Sequence, residues 1–254
     1  KLAGRLLCHL RHVPEYALVE INGGSKDNVI TLANKIKIAA KDLAPLKAAV
    51  AEMEAAWKVE FGADEPGLAV KFTELEDADY QVMTEASAKK VIAFLVNCPN
   101  GVDEYNRSLP GLVETSDNLG VTEIEEGCVR FMVLTRSGTA SKLEEFKEKY
   151  RCLANLVGGS YEFNSEYPGW MFKEQSKIRP IVLDAFEHIY GKRPEVTTIH
   201  AGLECGLLSG HKPELDCISF GPNMIGVHSV EERLEIASAA RIWEALKEIM
   251  KQCK

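Results

Sequence analysis

Apolar residues recur at helical spacing in several stretches of the chain. Residues 1–10 form an amphipathic pattern that predicts a helix already under way at Lys1. Leu43, Leu46, Val50, Met53, Trp57 and Phe61 predict a helix over 43–61, stopped by Gly62. Val91, Phe94 and Leu95 share one face of a helix predicted over 87–97, which Pro99, Asn100 and Gly101 close. A further helix is predicted over 141–156, ended by Gly158 and Gly159, and others over 176–190 and 230–250. Strand patterns fall at 16–21, 35–40 and 68–75, with a shorter alternation at Tyr161 and Phe163. Residues 121–124 and 128–135, joined at Glu126 and Gly127, read as an antiparallel hairpin. Apolar runs at 196–200 and 216–220 predict two short strands.

The order of these elements divides the chain. Up to about residue 167, strands and helices suggest an α+β arrangement, an antiparallel sheet with helices on one face. Tyr167, Pro168, Gly169 and Trp170 break the pattern. Beyond them, alternating strand and helix suggests a parallel α/β layer. The remaining stretch of about 85 residues is too short for a complete doubly wound domain and is expected to be one edge of a larger sheet. The fold class expected is therefore α/β.

Composition narrows the function. The hydrophobic share of 46% and charged share of 27% are ordinary for a soluble globular chain of 254 residues. No apolar run approaches a membrane span, and no leader with a small-residue cleavage site is visible. A net charge of −8 without a basic block argues against a nucleic-acid partner. The seven cysteines, odd in number and without a Cys-x-x-Cys pair, fit free thiols in a reducing cytoplasm and are expected to be mostly small buried hydrophobes. The first helix lacks a Ser, Thr, Asp or Asn cap and the chain starts at Lys1, so a preceding region is expected.

Four places carry candidate chemistry. His228 lies in the loop from Gly221 to Ser229, after a predicted strand and before a helix, where a neutral imidazole can ligate a metal or simply hydrogen-bond within the loop. Ser229 is placed to cap that helix, with Glu231 and Glu232 in its first turn. Between His200 and Gly206, Gly202 and Gly206 bracket Glu204, which reads either as a base or metal ligand or as an ordinary helix-start carboxylate. Arg136, ending a strand, can clamp a carboxylate with two hydrogen bonds or lie on the surface. Asn28, in a glycine-rich turn, can hold an oxyanion or serve the turn itself. Spacing alone leaves these alternatives open, since no self-sufficient catalytic motif is present.

Six stretches carry a resemblance: Val19 to Asn28, Pro110 to Gly120, Leu134 to Ser137, Tyr167 to Trp170, Ile199 to Gly206, and Ile218 to Pro222 with Gly226 to Ser229. In this order they resemble the M20 metallopeptidase family, specifically its Xaa-His (aminoacyl-histidine) dipeptidase branch. The resemblance implies a lid domain over 1–168 and the C-terminal portion of a zinc-peptidase catalytic domain over 169–254. It implies dipeptide hydrolysis by two zinc ions per full-length chain, with His228 as a zinc ligand and the general base upstream. It further implies that Arg136 binds the substrate carboxylate, that Asn28 and Gly202 contact the substrate, that Glu204 is either structural or a support behind the residues of the site, and that the protein is a cytoplasmic homodimer through the lid. The family's other metal ligands match no segment here, so the chain by itself is expected to be inactive and free of stoichiometric zinc. Two other readings remain: a related M20 deacylase or exopeptidase, and a non-catalytic, self-associating lid protein.

Overall fold

The computed structural model describes residues 1–164, 166, 168–198, 203–227 and 231–253. Its elements are α1 (Leu2–Leu10), β1 (Tyr16–Gly23), β2 (Asn34–Ala40), α2 (Ala44–Phe61), α3 (Glu85–Asn97), β3 (Gly101–Tyr105), β4 (Val113–Glu125) and β5 (Cys128–Ser137). There follow α4 (Ala140–Val157), α5 (Ile178–Tyr190), α6 (Glu204–His211), β6 (Met224–Ile225), β7 (Arg233–Leu234) and α7 (Ile236–Gln252). Mixed helices and a mainly antiparallel sheet give the α/β class expected. Among the described residues no helix is long and apolar enough to cross a membrane.

The chain folds as two compact units. The first takes Lys1–Asp103, Ser116–Thr135 and Ser141–Asn164, and the second takes Glu104–Thr115, Arg136–Ala140 and Ser165–Lys254.

The sheet runs in the order β2-β1-β4-β3, with β5 also paired to β4. β1 and β2 are antiparallel from Tyr16↔Ala40 to Gly23↔Asn34, with a bulge between Leu18 and Glu20. In the first unit Leu7, Leu10, Leu18, Ile21, Leu46, Trp57, Val91 and Leu95 are buried together, so α1, α2 and α3 cover one face of the sheet. Gly4 lets α1 approach α3 closely, since a Cβ there would lie 2.8 Å from Leu95 Cβ. Lys1 Nζ donates to the carbonyls of Leu95, Val96 and Cys98, filling acceptors that the end of α3 leaves open. Thr84 caps the start of α3 through a 3.1 Å bond from Ser87 N. Glu126 and Gly127 both have positive φ, 50° and 80°, as the two-residue turn of a twisted hairpin requires. Gly158 at φ 64° and Gly159 close α4 with bonds to the carbonyls of Asn155 and Ala154. Gly62, in contrast, ends α2 at a right-handed φ of −57°.

Several expected elements differ. β4 starts at Val113, well before residue 121, because its inward positions Thr115 and Asp117 are buried polar residues that hide the apolar alternation. β3 was not anticipated. Residues 68–75 form no strand. Leu68 and Val70 pack against the first unit's core, and without a ladder partner an alternating pattern makes no strand. Residues 161–163 likewise form none, although the rings of Tyr161 and Phe163 stand 5.5 Å apart.

In the second unit α5 packs on α7 around Val182, Ala185 and Ile249, with Ile218 and Phe220 against them. Residues 216–220 therefore form no strand, and Ile218 and Phe220 serve as an apolar cover on these helices. Of the strand expected at 196–200, residues 196–198 are not in a strand and Ile199 and His200 lie outside the described residues. The expected parallel layer is absent among the described residues, where this unit's one separate sheet is the antiparallel β6-β7 pair. That pairing delays α7 to Ile236, with Glu235 and not Ser229 at its N-cap. Ser238 Oγ ties the two together, accepting from Asn223 N at 2.9 Å and donating to Glu235 O at 2.7 Å. The cysteines are less buried than expected. Cys98 alone is buried, Cys8, Cys205 and Cys217 are half-buried, and Cys128, Cys152 and Cys253 are exposed.

Candidate functional site

Asn28 follows β1 in a loop that is fastened to β4. Asn118 Nδ2 donates to Asp27 O at 2.6 Å and Val29 O at 2.9 Å, so one amide grips the residue on each side of Asn28. Thr31 Oγ1 donates to Gly120 O at 2.8 Å. Loop and strand can touch only because both are glycine at the crossing. Gly24 adopts φ 81° with its α-carbon against Gly120 O, and a Cβ on Gly120 would lie 2.5 Å from the carbonyl oxygens of Lys26 and Asp27. Asn28 itself is exposed and is presented from a backbone fixed on both sides. Two stretches singled out in the sequence, 19–28 and 110–120, thus form one structural feature. Thr31 was not singled out in the sequence, and the clamping role of Asn118 was not read from its stretch; the glycines at 24 and 120 were the available signal.

Arg136 belongs to the second unit and is half-buried and engaged with neighbouring groups. The residues after it are tightly organised. Thr115 Oγ1 and Ser137 Oγ, both buried, share a 2.8 Å hydrogen bond. Gly138 N donates to Glu114 O at 3.2 Å, while the Glu114 carboxylate accepts from Thr139 Oγ1 at 3.0 Å and Asn106 Nδ2 at 2.6 Å. Gly169 packs flat on this turn, where a Cβ would lie 2.5 Å from Gly138 O and closer still to Ser137 O. Gly206 in α6 in turn abuts Pro168 O, where a Cβ would lie 2.7 Å away. Three further stretches, around 134–137, 167–170 and 199–206, therefore meet through glycine contacts, which a hydrophobicity pattern cannot reveal.

Glu204 is the first residue of α6 and is exposed, in the first turn where a carboxylate offsets the helix dipole. His200, Gly202, His228 and Ser229 lie outside the described residues. Asn28 and Arg136 fall in different compact units. Among the described residues no group of three or more His, Cys, Asp or Glu is placed to hold a metal ion.

A second polar feature of the first unit escaped the sequence reading. Asp117 is 4% exposed, and its Oδ1 accepts from Thr135 Oγ1 and Tyr150 Oη, each at 2.6 Å. Burial raises the Asp117 carboxyl above the ordinary range, against the pull of those two donors. Burial also pushes the Cys98 thiol up to about 12 and, with the Asp117 charge, raises the Tyr150 hydroxyl. The closed, satisfied geometry marks this network as structural.

Compared with solved structures, the chain has the fold of a dipeptidase. It superposes on the crystal structure of aminoacylhistidine dipeptidase from Vibrio alginolyticus with a TM-score of 0.89 and 34% identity, covering 99% of this chain and 52% of that one. Among curated proteins it is homologous to the cytosol non-specific dipeptidase of Escherichia coli (strain K12), 31% identical over 254 residues, which is 99% of this chain and 52% of the relative. The chain thus spans about half the length of the relatives it matches. No family model matches it.

Proposed function

We propose that this chain is part of a cytoplasmic, zinc-dependent dipeptidase that hydrolyses Xaa-His dipeptides. The observation that carries the reading is the likeness to aminoacylhistidine dipeptidase, a TM-score of 0.89 at 34% identity over nearly the whole chain. In this reading residues 1–168 are the lid and 169–254 the C-terminal portion of the catalytic domain. Arg136 binds the substrate's terminal carboxylate, where a guanidinium makes two parallel hydrogen bonds. Asn28 contacts the substrate from its clamped loop, and Gly202 does so through its backbone. His228 is a zinc ligand. One imidazole supplies one of about four ligands that zinc takes, so the described residues with His228 do not by themselves make a zinc site. The remaining ligands and the general base are assigned to the half of the relatives' length that this chain does not span. The "cytosol" in the Escherichia coli relative's name supports the compartment. Self-association is assigned to the first unit, where β2 is an edge strand.

The test uses the protein extended to the full length of its relatives. Zinc-dependent release of histidine from glycyl- or β-alanyl-histidine is expected, with activity lost in His228→Ala together with bound zinc. Arg136→Met is expected to raise KM at least about tenfold. Hydrolysis of acylated amino acids but not of dipeptides would overturn the reading in favour of a deacylase.

A further inference from the structure

Cys205 and Cys217 are 12 positions apart in the sequence and are both in the second unit, where α6 brings them near each other. Cys205 is in the first turn of α6, and Ser209 lies one turn further along the same helix face. Ser209 Oγ donates to Cys217 Sγ at 3.8 Å, so the face of α6 that carries Cys205 is turned toward Cys217. Both are half-buried free thiols, whereas Cys98 is closed off in the first unit's core.

We propose that Cys205 and Cys217 form a redox site at which a low-molecular-weight disulfide such as glutathione disulfide joins the two thiols in an intrachain disulfide. One thiolate attacks the small disulfide, forming a mixed disulfide and expelling one small thiolate. The other thiolate then attacks the protein-bound sulfur and expels the second. Two protein thiols are oxidised, one small disulfide is reduced to two thiols, and the protons released by the cysteines are taken up by the leaving thiolates. Burial, and then the neighbouring Cys217, raise Cys205, so ring closure quickens as the pH rises.

The two sulfurs are mounted differently, which gives the bond a consequence. Cys217 sits on a fixed segment. Asp216 Oδ2 accepts from Ser176 Oγ and from the backbone N–H of Lys177 and Ile178, and Ile218 packs on the α5–α7 core. α6 is held more lightly: Gly206 rests on Pro168, while Leu207 and Leu208 are 40% and 53% exposed. Closing the disulfide would tie α6 to the α5–α7 core. The inference concerns thiols alone and does not depend on the peptidase reading.

The test treats the purified chain with glutathione disulfide, alkylates what remains free, and maps peptides without reduction. The expected product joins the Cys205 and Cys217 peptides with the loss of two hydrogen atoms, is reversed by dithiothreitol, and persists when Cys128, Cys152 and Cys253 are all changed to Ser. Cys205→Ser or Cys217→Ser is expected to leave a stable mixed glutathione disulfide on the remaining partner. Amide exchange in α6 should slow by about tenfold or more on oxidation of the wild-type chain. Recovery of Cys205 and Cys217 as fully alkylated thiols, or their linkage only to other cysteines, would overturn the proposal.

Discussion

Tyr150 donates to Asp117 Oδ1 at 2.6 Å, the same oxygen that Thr135 reaches from β5. α4 and the β4–β5 hairpin are therefore joined at a single buried carboxylate oxygen, and removing it takes away the acceptor that two hydroxyls share. Asp117→Ala is expected to lower unfolding free energy by about 3 kcal/mol, and Asp117→Asn, which keeps an oxygen there, by about 1 kcal/mol. Urea denaturation of the three chains measures this.

The same group sets a pH dependence. The unfolded carboxyl titrates near about 3.9, and the folded one is raised by burial. Between those two values the folded chain holds a proton that the unfolded chain has released. The group's contribution to stability is full below the unfolded pKa and is lost as pH rises through the folded pKa. Subtracting the Asp117→Asn stability profile from that of the wild type should isolate a fall with rising pH in this acidic window; a difference that rises instead would refute the assignment.

Asn118 supplies both bonds that hold the residues flanking Asn28. Asn118→Ala should cost about 1–2 kcal/mol and speed amide exchange in the loop 26–31, with little change in α5 or α7, which belong to the other unit. Hydrogen-exchange mass spectrometry separates the two regions.

Two glycines should respond differently to a methyl group. Gly169→Ala drives a Cβ into the carbonyls of Ser137 and Gly138 and is expected to cost about 3 kcal/mol. Gly191, at φ 73° with open space around its Cβ position, should lose only about 1 kcal/mol on the same change. Thermal or urea unfolding ranks them.

Trp57 is 3% exposed, and its indole N–H has no hydrogen-bond partner among the described residues. Trp57→Phe removes that unsatisfied donor along with some volume, and the two effects oppose each other. Its net cost should be under about 1.5 kcal/mol, against about 3–5 kcal/mol for Trp57→Ala.

The elements legible in the sequence were those with one wet face and one apolar face: α1, α2, α3, α4 and α5, the strands β1 and β2 though not their pairing, and the β4–β5 turn at Glu126 and Gly127. The start of β4 was hidden because Thr115 and Asp117 occupy inward positions and find partners in Ser137, Thr135 and Tyr150, distant in sequence. Residues 216–220 misled in the opposite sense, since Ile218 and Phe220 satisfy their apolar character against helices. For the candidate site, Asn28 and Arg136 could be named from their residue types, but the supports around them rest on glycines at 24, 120, 138, 169 and 206. Close backbone approach leaves no periodic trace in a sequence.

The inward face of β4 passes from Asp117 to Leu119 and Val121 within a few residues. A strand can slide by two positions against its neighbour and still point the same set of side chains inward. Here such a slide would carry a carboxylate to the place of a leucine and strand Thr135 and Tyr150 against a hydrocarbon. The buried acid thus acts as a key for alignment, distinguishing the native pairing from a misregistered hairpin that apolar packing alone would tolerate.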